Sequence, residues 1–195
     1  MKFLNNEVVF YEIDYNYMKY LYEVDSKVYF HEKYKQDTKP YVGVIRTIND
    51  VNYFIPLASA KQKHSEYNLK TKDYILIYDI VDANNIKSNA IYKEKKDDMS
   101  KRYHILSILD MRKMVPVPSG MFRKINFSSF PMNYQFLFYK EHNFCKSNQD
   151  LILERTNDLY NKTQDKGTAL SKFHCDYILL EKAMYKYNNK TSTLK

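Results

Sequence analysis

Three glycines, two cysteines and no tryptophan occur in 195 residues, and each shortage excludes a chemistry. Glycines at 43, 120 and 167 cannot assemble the glycine-rich loop with which nucleotide-binding folds cradle phosphates. Cys145 and Cys175 have no metal-ligand spacing and are too few to staple a chain of this length. Neither a disulfide framework nor a zinc site is expected, and a reduced, cytoplasmic location is the simplest. No apolar run approaches the ~18 residues that a membrane span requires, and residues 1–7 lack the apolar stretch of a secretion signal. Acidic residues are scattered, which leaves a two-metal nuclease centre without an evident ligand set. Chemistry without a metal or cofactor is therefore expected.

What the chain has in excess is positive charge and tyrosine. A formal net charge of +8 points to a polyanionic partner, nucleic acid first and an anionic membrane surface second, with a basic protein lacking any such partner as the alternative. Tyr (20) and Phe (11) supply much of the apolar content. Their rings suit base stacking and suit a core equally well. At roughly 150 residues per domain, one domain over residues 1–195 is expected, with residues 1–7 and 188–195 as flexible ends.

Residues 8–13 read as a short strand. Tyr17, Tyr20, Leu21 and Val24 then recur at helical spacing, with Asp14 placed to cap. A hairpin follows: residues 41–48, a turn at Asn49 and Asp50, and residues 51–57, where Val51, Tyr53, Ile55 and Leu57 alternate onto one face. Pro56 cannot donate to a ladder and so marks a strand end or an edge. Residues 73–81 and 103–109 read as strands, residues 84–98 as a solvated connection, and residues 114–118 as extended around two prolines. Residues 31–40 read as a loop, and His104 as a sheet or core histidine. Helices are expected over 134–144, 149–161 and 175–187, the last with Tyr177, Leu180 and Met184 on one face. Strands followed by helices predict an α+β fold on an antiparallel sheet.

The chemistry-bearing cluster is Pro56-Leu57-Ala58-Ser59-Ala60-Lys61-Gln62-Lys63-His64, directly after the second hairpin strand. RNA carries its own nucleophile in the 2′-hydroxyl. A protein that cleaves it need only help remove that proton, hold charge on the phosphorane and protonate the departing 5′-oxygen. Lysine, a hydroxyl and histidine serve those ends, and all three types lie here within six residues. The same run is also what a solvated basic turn looks like. A Ser59–Lys61 hydrolase pair is a third reading, but the Ser-x-x-Lys helical signature is missing.

That segment resembles the PL(T/S)S-x-K-x-x-H stretch of the ToxN/AbiQ family, the toxins of type III toxin–antitoxin systems. Other segments match in the same order: Phe10-Tyr11-Glu12-Ile13, Tyr17-Met18-Lys19-Tyr20-Leu21, Lys39 with Tyr41-Val42-Gly43-Val44-Ile45, Ile108 to Val117, Tyr139-Lys140, and Cys175-Asp176-Tyr177-Ile178-Leu179-Leu180-Glu181. The resemblance spans residues 8–187. It implies a twisted antiparallel sheet with flanking helices, like the Kid/MazF toxins. It also implies an endoribonuclease that needs no metal and leaves a 2′,3′-cyclic phosphate and a 5′-hydroxyl. The implied partners are a small repeated antitoxin RNA folded into pseudoknots, closed with the protein into a ring-like assembly, and cellular or phage mRNA. The implied setting is phage abortive infection.

By position, Lys39, Ser59 and Lys61 match family active-site residues, His64 the loop histidine and Tyr34 an active-site tyrosine with spacing altered by one. Tyr17 and Tyr139 match tyrosines of the RNA groove, although core packing is an equal reading for each. The expected division of labour has Lys61 and Ser59 gripping the phosphate, His64 or Tyr34 moving protons and Lys39 adding charge. Lys63 and Lys35 are expected to touch RNA; Lys33, Lys70, Lys93, Lys95, Lys96, Lys101 and Arg102 are candidates for phosphate-contacting patches, with a solvated surface as the alternative for most. Ala58 departs from the family's usual threonine. The rival to the nuclease reading is a non-catalytic module in which the same lysines only hold phosphates.

Overall fold

The computed structural model describes residues 1–35, 39–46, 51–164 and 173–192. The strands are β1 (Lys2–Phe3), β2 (Phe10–Ile13), β3 (Tyr41–Arg46), β4 (Val51–Ser59), β5 (Tyr74–Asp82), β6 (Ile91–Glu94), β7 (Lys101–Asp110), β8 (Val115–Pro116) and β9 (Phe122–Lys124). Helix α1 (Tyr15–Val24) lies between β2 and β3, and α2 (Met132–Ser147), α3 (Gln149–Gln164) and α4 (Tyr177–Ser192) come last. The strands form one antiparallel sheet with the path β5-β7-β4-β3-β2-β9. To it β1 adds on β3, β6 on β7 and β8 on β4. The fold is α+β, as expected. Among the described residues no helix is long and apolar enough to cross a membrane.

Helix α1 starts where Asp14 accepts the Tyr17 amide at 2.8 Å, the cap the sequence predicts. Its Tyr17, Met18 and Leu21 are buried, and α4 buries the expected Tyr177, Leu180 and Met184. Tyrosine goes largely to the core, with its hydroxyls satisfied. Tyr17 donates to the Pro116 carbonyl at 2.7 Å and Tyr177 to the Met111 carbonyl at 2.7 Å. Tyr53 reaches Glu181 at 2.7 Å.

Several expectations need correction. Residues 84–98 are not all connection, because β6 pairs with β7 from Ile91↔Ile105 to Glu94↔Arg102. Strands β1 and β9 are two and three residues long, too short to show a period. Residues 1–7 are tied into the fold, with Phe3 and Leu4 buried and Lys2 paired to Ile45. Helix α4 runs on through the polar residues to Ser192. In β4 both faces are covered, so Phe54 is as buried as Tyr53 and Ile55. The expected turn at Asn49 and Asp50 lies outside the described residues.

Pro56 sits inside β4 rather than at its end. On one side β4 pairs with β3 as far as Tyr41↔Pro56. On the other it pairs with β8 at Tyr53 and Phe54, then with β7 from Leu57 to Ser59. The Leu57 amide donates back toward Pro40 on the β3 side. Position 56 therefore faces the gap between β8 and β7, where a missing N–H costs no ladder bond.

Candidate active site

Strand β4 delivers Ser59 to the point where the sheet's partners change. Ser59 pairs with Ser107 on β7, and the Ala60 amide donates to the Leu106 carbonyl. The chain then turns through a single 3₁₀ turn, Gln62–Ser65. His64 closes this turn from both sides: its amide donates to the Lys61 carbonyl at 2.7 Å, and its Nδ1 accepts the Lys61 amide at 3.0 Å. The His64 ring is buried and stacks 5.1 Å from Tyr67. Lys93 of β6 donates to the Ser65 carbonyl at 3.1 Å. The loop is thus pinned by its own histidine and by a strand absent from the sequence reading, while Ser59, Lys61 and Lys63 remain exposed.

A cavity of about 670 Å³ opens beside this loop. Lys39, Ser59, Lys61, Lys63 and His64, drawn from two separate stretches of sequence, all line it, and so does Ala58. Four further polar residues join them: Tyr29, Ser107, Tyr134 and Glu141. None of these four was singled out in the sequence. Glu141 left no signal there either, because only the structure shows that Phe138, Glu141 and Cys145 mark the buried face of α2, where charge is rare unless it has a task.

Two of the lining groups titrate far from their ordinary values. Burial pushes the Glu141 carboxyl up to about 7, against the opposing pull of the Ser107 hydroxyl and the Lys39 ammonium. Burial, aided by repulsion from Lys61, pushes Lys39 down to about 8, while Glu141 and Asp110 hold it up. Ser107 Oγ is buried and completes no hydrogen bond of standard geometry among the described residues. Its effect on Glu141 is that of a nearby dipole. His64 is driven below its ordinary range by burial, then by Lys63 and Lys61. In its neutral form the ring must carry its proton on Nε2, because Nδ1 is an acceptor. This histidine clamps the Lys61 backbone through Nδ1 and lines the cavity beside it.

Beneath the lysines lies a buried acidic anchor. Arg112 grips Asp110 through two bonds, 2.8 Å and 2.7 Å. Tyr29 donates to the same carboxylate at 3.3 Å, and its ring carries the Lys39 ammonium at 5.3 Å and the Lys113 ammonium at 5.7 Å.

The remaining expected residues lie elsewhere. Tyr17 is wholly buried and packs its ring 5.0 Å from Tyr187; it is a core residue, not a groove residue. Tyr139 is 66% exposed but does not line the cavity. Tyr34 and Lys35 belong to the 3₁₀ turn Glu32–Lys35, and their side chains lie outside the described residues. Of the wider set of lysines, Lys70 reaches Asn148, Lys95 pairs with Asp97 and Lys101 with Asp82. His104 sits in β7 against Tyr92 of β6, as a sheet histidine.

Comparison with known proteins gives this architecture its relatives. The chain is 27% identical over 190 residues to Endoribonuclease ToxN of Bacillus thuringiensis subsp. kurstaki, covering 93% of this chain and 84% of that protein. It is 27% identical over 188 residues to Endoribonuclease AbiQ of Lactococcus lactis subsp. lactis, covering 94% and 91%. A solved structure from a bacterial type III toxin–antitoxin system, in which a non-coding RNA pseudoknot selectively inhibits the toxin, superposes with a TM-score of 0.70 at 26% identity. That match covers 93% of this chain and 98% of the other. The fold is shared also with AbiQ, a lactococcal anti-phage endoribonuclease, at a TM-score of 0.70 and 24% identity over 94% and 99% of the two chains. The family model for the toxin ToxN of type III toxin–antitoxin systems matches residues 9–185, and the chain belongs to that family.

Proposed function

We propose that this chain is a cytoplasmic endoribonuclease toxin acting as one domain without a metal. It cleaves RNA by attack of the substrate's own 2′-hydroxyl and leaves 2′,3′-cyclic phosphate and 5′-hydroxyl ends. The observation that carries this reading is the convergence of Lys39, Ser59, Lys61 and Glu141 on one cavity, with the Glu141 carboxyl near 7 and the Lys39 ammonium near 8. Relatives named endoribonucleases support it. The twisted sheet is read as the Kid/MazF-like arrangement.

In this mechanism the Glu141 carboxylate takes the 2′-hydroxyl proton as the 2′-oxygen bonds to phosphorus. The P–O5′ bond breaks, and the Lys39 ammonium supplies the proton that the 5′-oxygen needs. Lys61 and Lys63 offset the charge on the non-bridging oxygens, and the Ser59 hydroxyl donates to one of them. Ser107, paired opposite Ser59 on β7, favours the ionised Glu141 carboxyl. Both perturbed values lie near neutrality, where a proton donor and acceptor work best. The clamped His64 takes no proton; it holds the Lys61 backbone. The same basic cavity accepts the antitoxin, a repeated pseudoknot RNA, so inhibitor and mRNA compete for one place. The protein and the RNA repeats close into an assembly of the kind the family resemblance implies, and release of the toxin serves defence against phage.

The test is incubation of purified protein with mRNA in excess chelator, followed by analysis of the ends. Cleavage leaving a 5′-hydroxyl and a cyclic phosphate is expected. Intact RNA that is nonetheless bound would leave only the phosphate-holding module.

A further inference from the structure

The cavity lining combines two chemically different sets of side chains. Lys39, Ser59, Lys61 and Glu141 are the polar set, and Phe130, Tyr134 and Phe138 are the aromatic one. Tyr134 and Glu141 lie on the same face of α2, seven residues apart, which is about 10 Å along the helix axis. A nucleotide spans that reach from its phosphate to the far edge of its base. Phe138 is buried and packs edge-on to Phe130 at 5.4 Å, so these two rings are committed to one another as a wall. Tyr134 is different. It is 49% exposed, and among the described residues its ring meets no other ring or cation and its hydroxyl makes no hydrogen bond. Many other tyrosines pack ring against ring, as Tyr11, Tyr53, Tyr78 and Tyr177 do, and of the exposed Tyr134, Tyr139 and Tyr185 only Tyr134 lines the cavity.

We infer that Tyr134 forms the base-stacking subsite for a nucleotide flanking the scissile phosphate, and so sets which base is accepted there. The inference rests on the cleavage reading and adds a specificity residue to it. The free face stacks on a nucleobase, a contact that tolerates any base. The free hydroxyl can donate to or accept from the base edge and supplies the discrimination.

The test uses a short single-stranded RNA containing one mapped cleavage site, with the 2′-hydroxyl at that site removed so that binding is read alone. The same RNA is made with one abasic nucleotide at each flanking position in turn. Wild type, Tyr134→Ala and Tyr134→Phe are compared. Tyr134→Ala is expected to bind the intact RNA about 10- to 100-fold more weakly, from the usual worth of one base–aromatic stack, with the unfolding midpoint little changed because the side chain is half in solvent and its hydroxyl is unbonded. Tyr134→Phe keeps most of the affinity and loses base preference at one position. One abasic substitution should weaken wild type by the same factor and leave Tyr134→Ala unaffected. Equal binding of intact RNA by wild type and Tyr134→Ala, or equal weakening of both by every abasic substitution, overturns the subsite. If wild type cleaves no RNA, the endoribonuclease reading fails; if it cleaves and no coupling to Tyr134 appears, only the subsite fails.

Discussion

Replacing Glu141 by glutamine should move catalysis and stability in opposite directions. The folded carboxyl sits at about 7 where an unburied one sits at 4.5. At about 1.4 kcal/mol for each factor of ten, holding it ionised in the fold costs on the order of 3 kcal/mol. Because the folded value is raised, the protonated form is the one the fold favours. Wild-type stability is therefore full below 4.5 and is lost as pH rises through about 7. Glutamine carries no such cost, so Glu141→Gln should be no more stable than wild type in acid and up to ~3 kcal/mol more stable above neutrality. Lys39 trims that gain. The carboxylate holds its ammonium up, and without it the Lys39 value falls further below about 8. Cleavage should drop by about 10²- to 10⁴-fold with loss of the general base. The acidic limb near 7 should vanish, and the alkaline limb should move down from near 8. The assays are single-turnover cleavage across the pH range and urea unfolding at about pH 5 and about pH 8. A variant that keeps the acidic limb, or gains equally at both pH values, would refute the assignment.

Lys39→Ala should lose a comparable factor, about 10²- to 10⁴-fold, and recover on RNA whose bridging 5′-oxygen is replaced by sulfur, since a thiolate leaves without a proton. Glu141→Gln should show no such recovery, and rescue of both variants or neither would unseat the acid assignment. His64→Gln removes the clamp on the Lys61 amide; the rate should fall about fivefold, in line with ~1 kcal/mol for one hydrogen bond. Its limbs should stay near 7 and 8, whereas displaced limbs would return His64 to proton transfer. Tyr17→Phe leaves the Pro116 carbonyl unpaired in the core and should cost about 1–3 kcal/mol of stability. Cleavage by the folded protein should be unchanged, and weakened RNA binding without a stability loss would contradict the core placement.

The parts of the fold legible in the sequence are those long enough to show a period or end on a cap. Asp14 with the stripe Tyr17, Tyr20, Leu21 and Val24 marked α1, and β5 and β7 appeared within a residue or two of their bounds. The strands that escaped are β1, β6 and β9, of two to four residues. Their pairing is decided by what the long strands leave open. Strand β7 is the clearest case: β5 takes one edge for its whole length, while β4 occupies positions 107–109 of the other, leaving 102–105 for β6. A run as polar as Ile91-Tyr92-Lys93-Glu94 becomes a strand because an unpaired edge waits for it.

The site divides in the same way. Ser59, Lys61 and His64 were legible because one short loop carries them, and local hydrogen bonds fold that loop. Glu141 and Tyr134 were not, and α2 explains why. The helix carries two apolar stripes: Phe138 and Cys145 face inward with Glu141 between them, while Met132, Phe136 and Tyr139 face outward. Helical periodicity decides which face is buried only when one face is polar; here neither is. Tyr139 on the outer stripe and Tyr134 on the inner one are equivalent by composition, and only the sheet beneath α2 tells them apart. The same sheet gives Glu141 its chemistry. On a solvated helix it would be an ordinary carboxylate; against the Ser107 wall, with Lys39 from before β3 across the cavity, burial raises it to about 7. The loop supplies charge and hydroxyls from its own sequence, but a carboxyl near 7 facing an ammonium near 8 exists only once α2 covers the sheet.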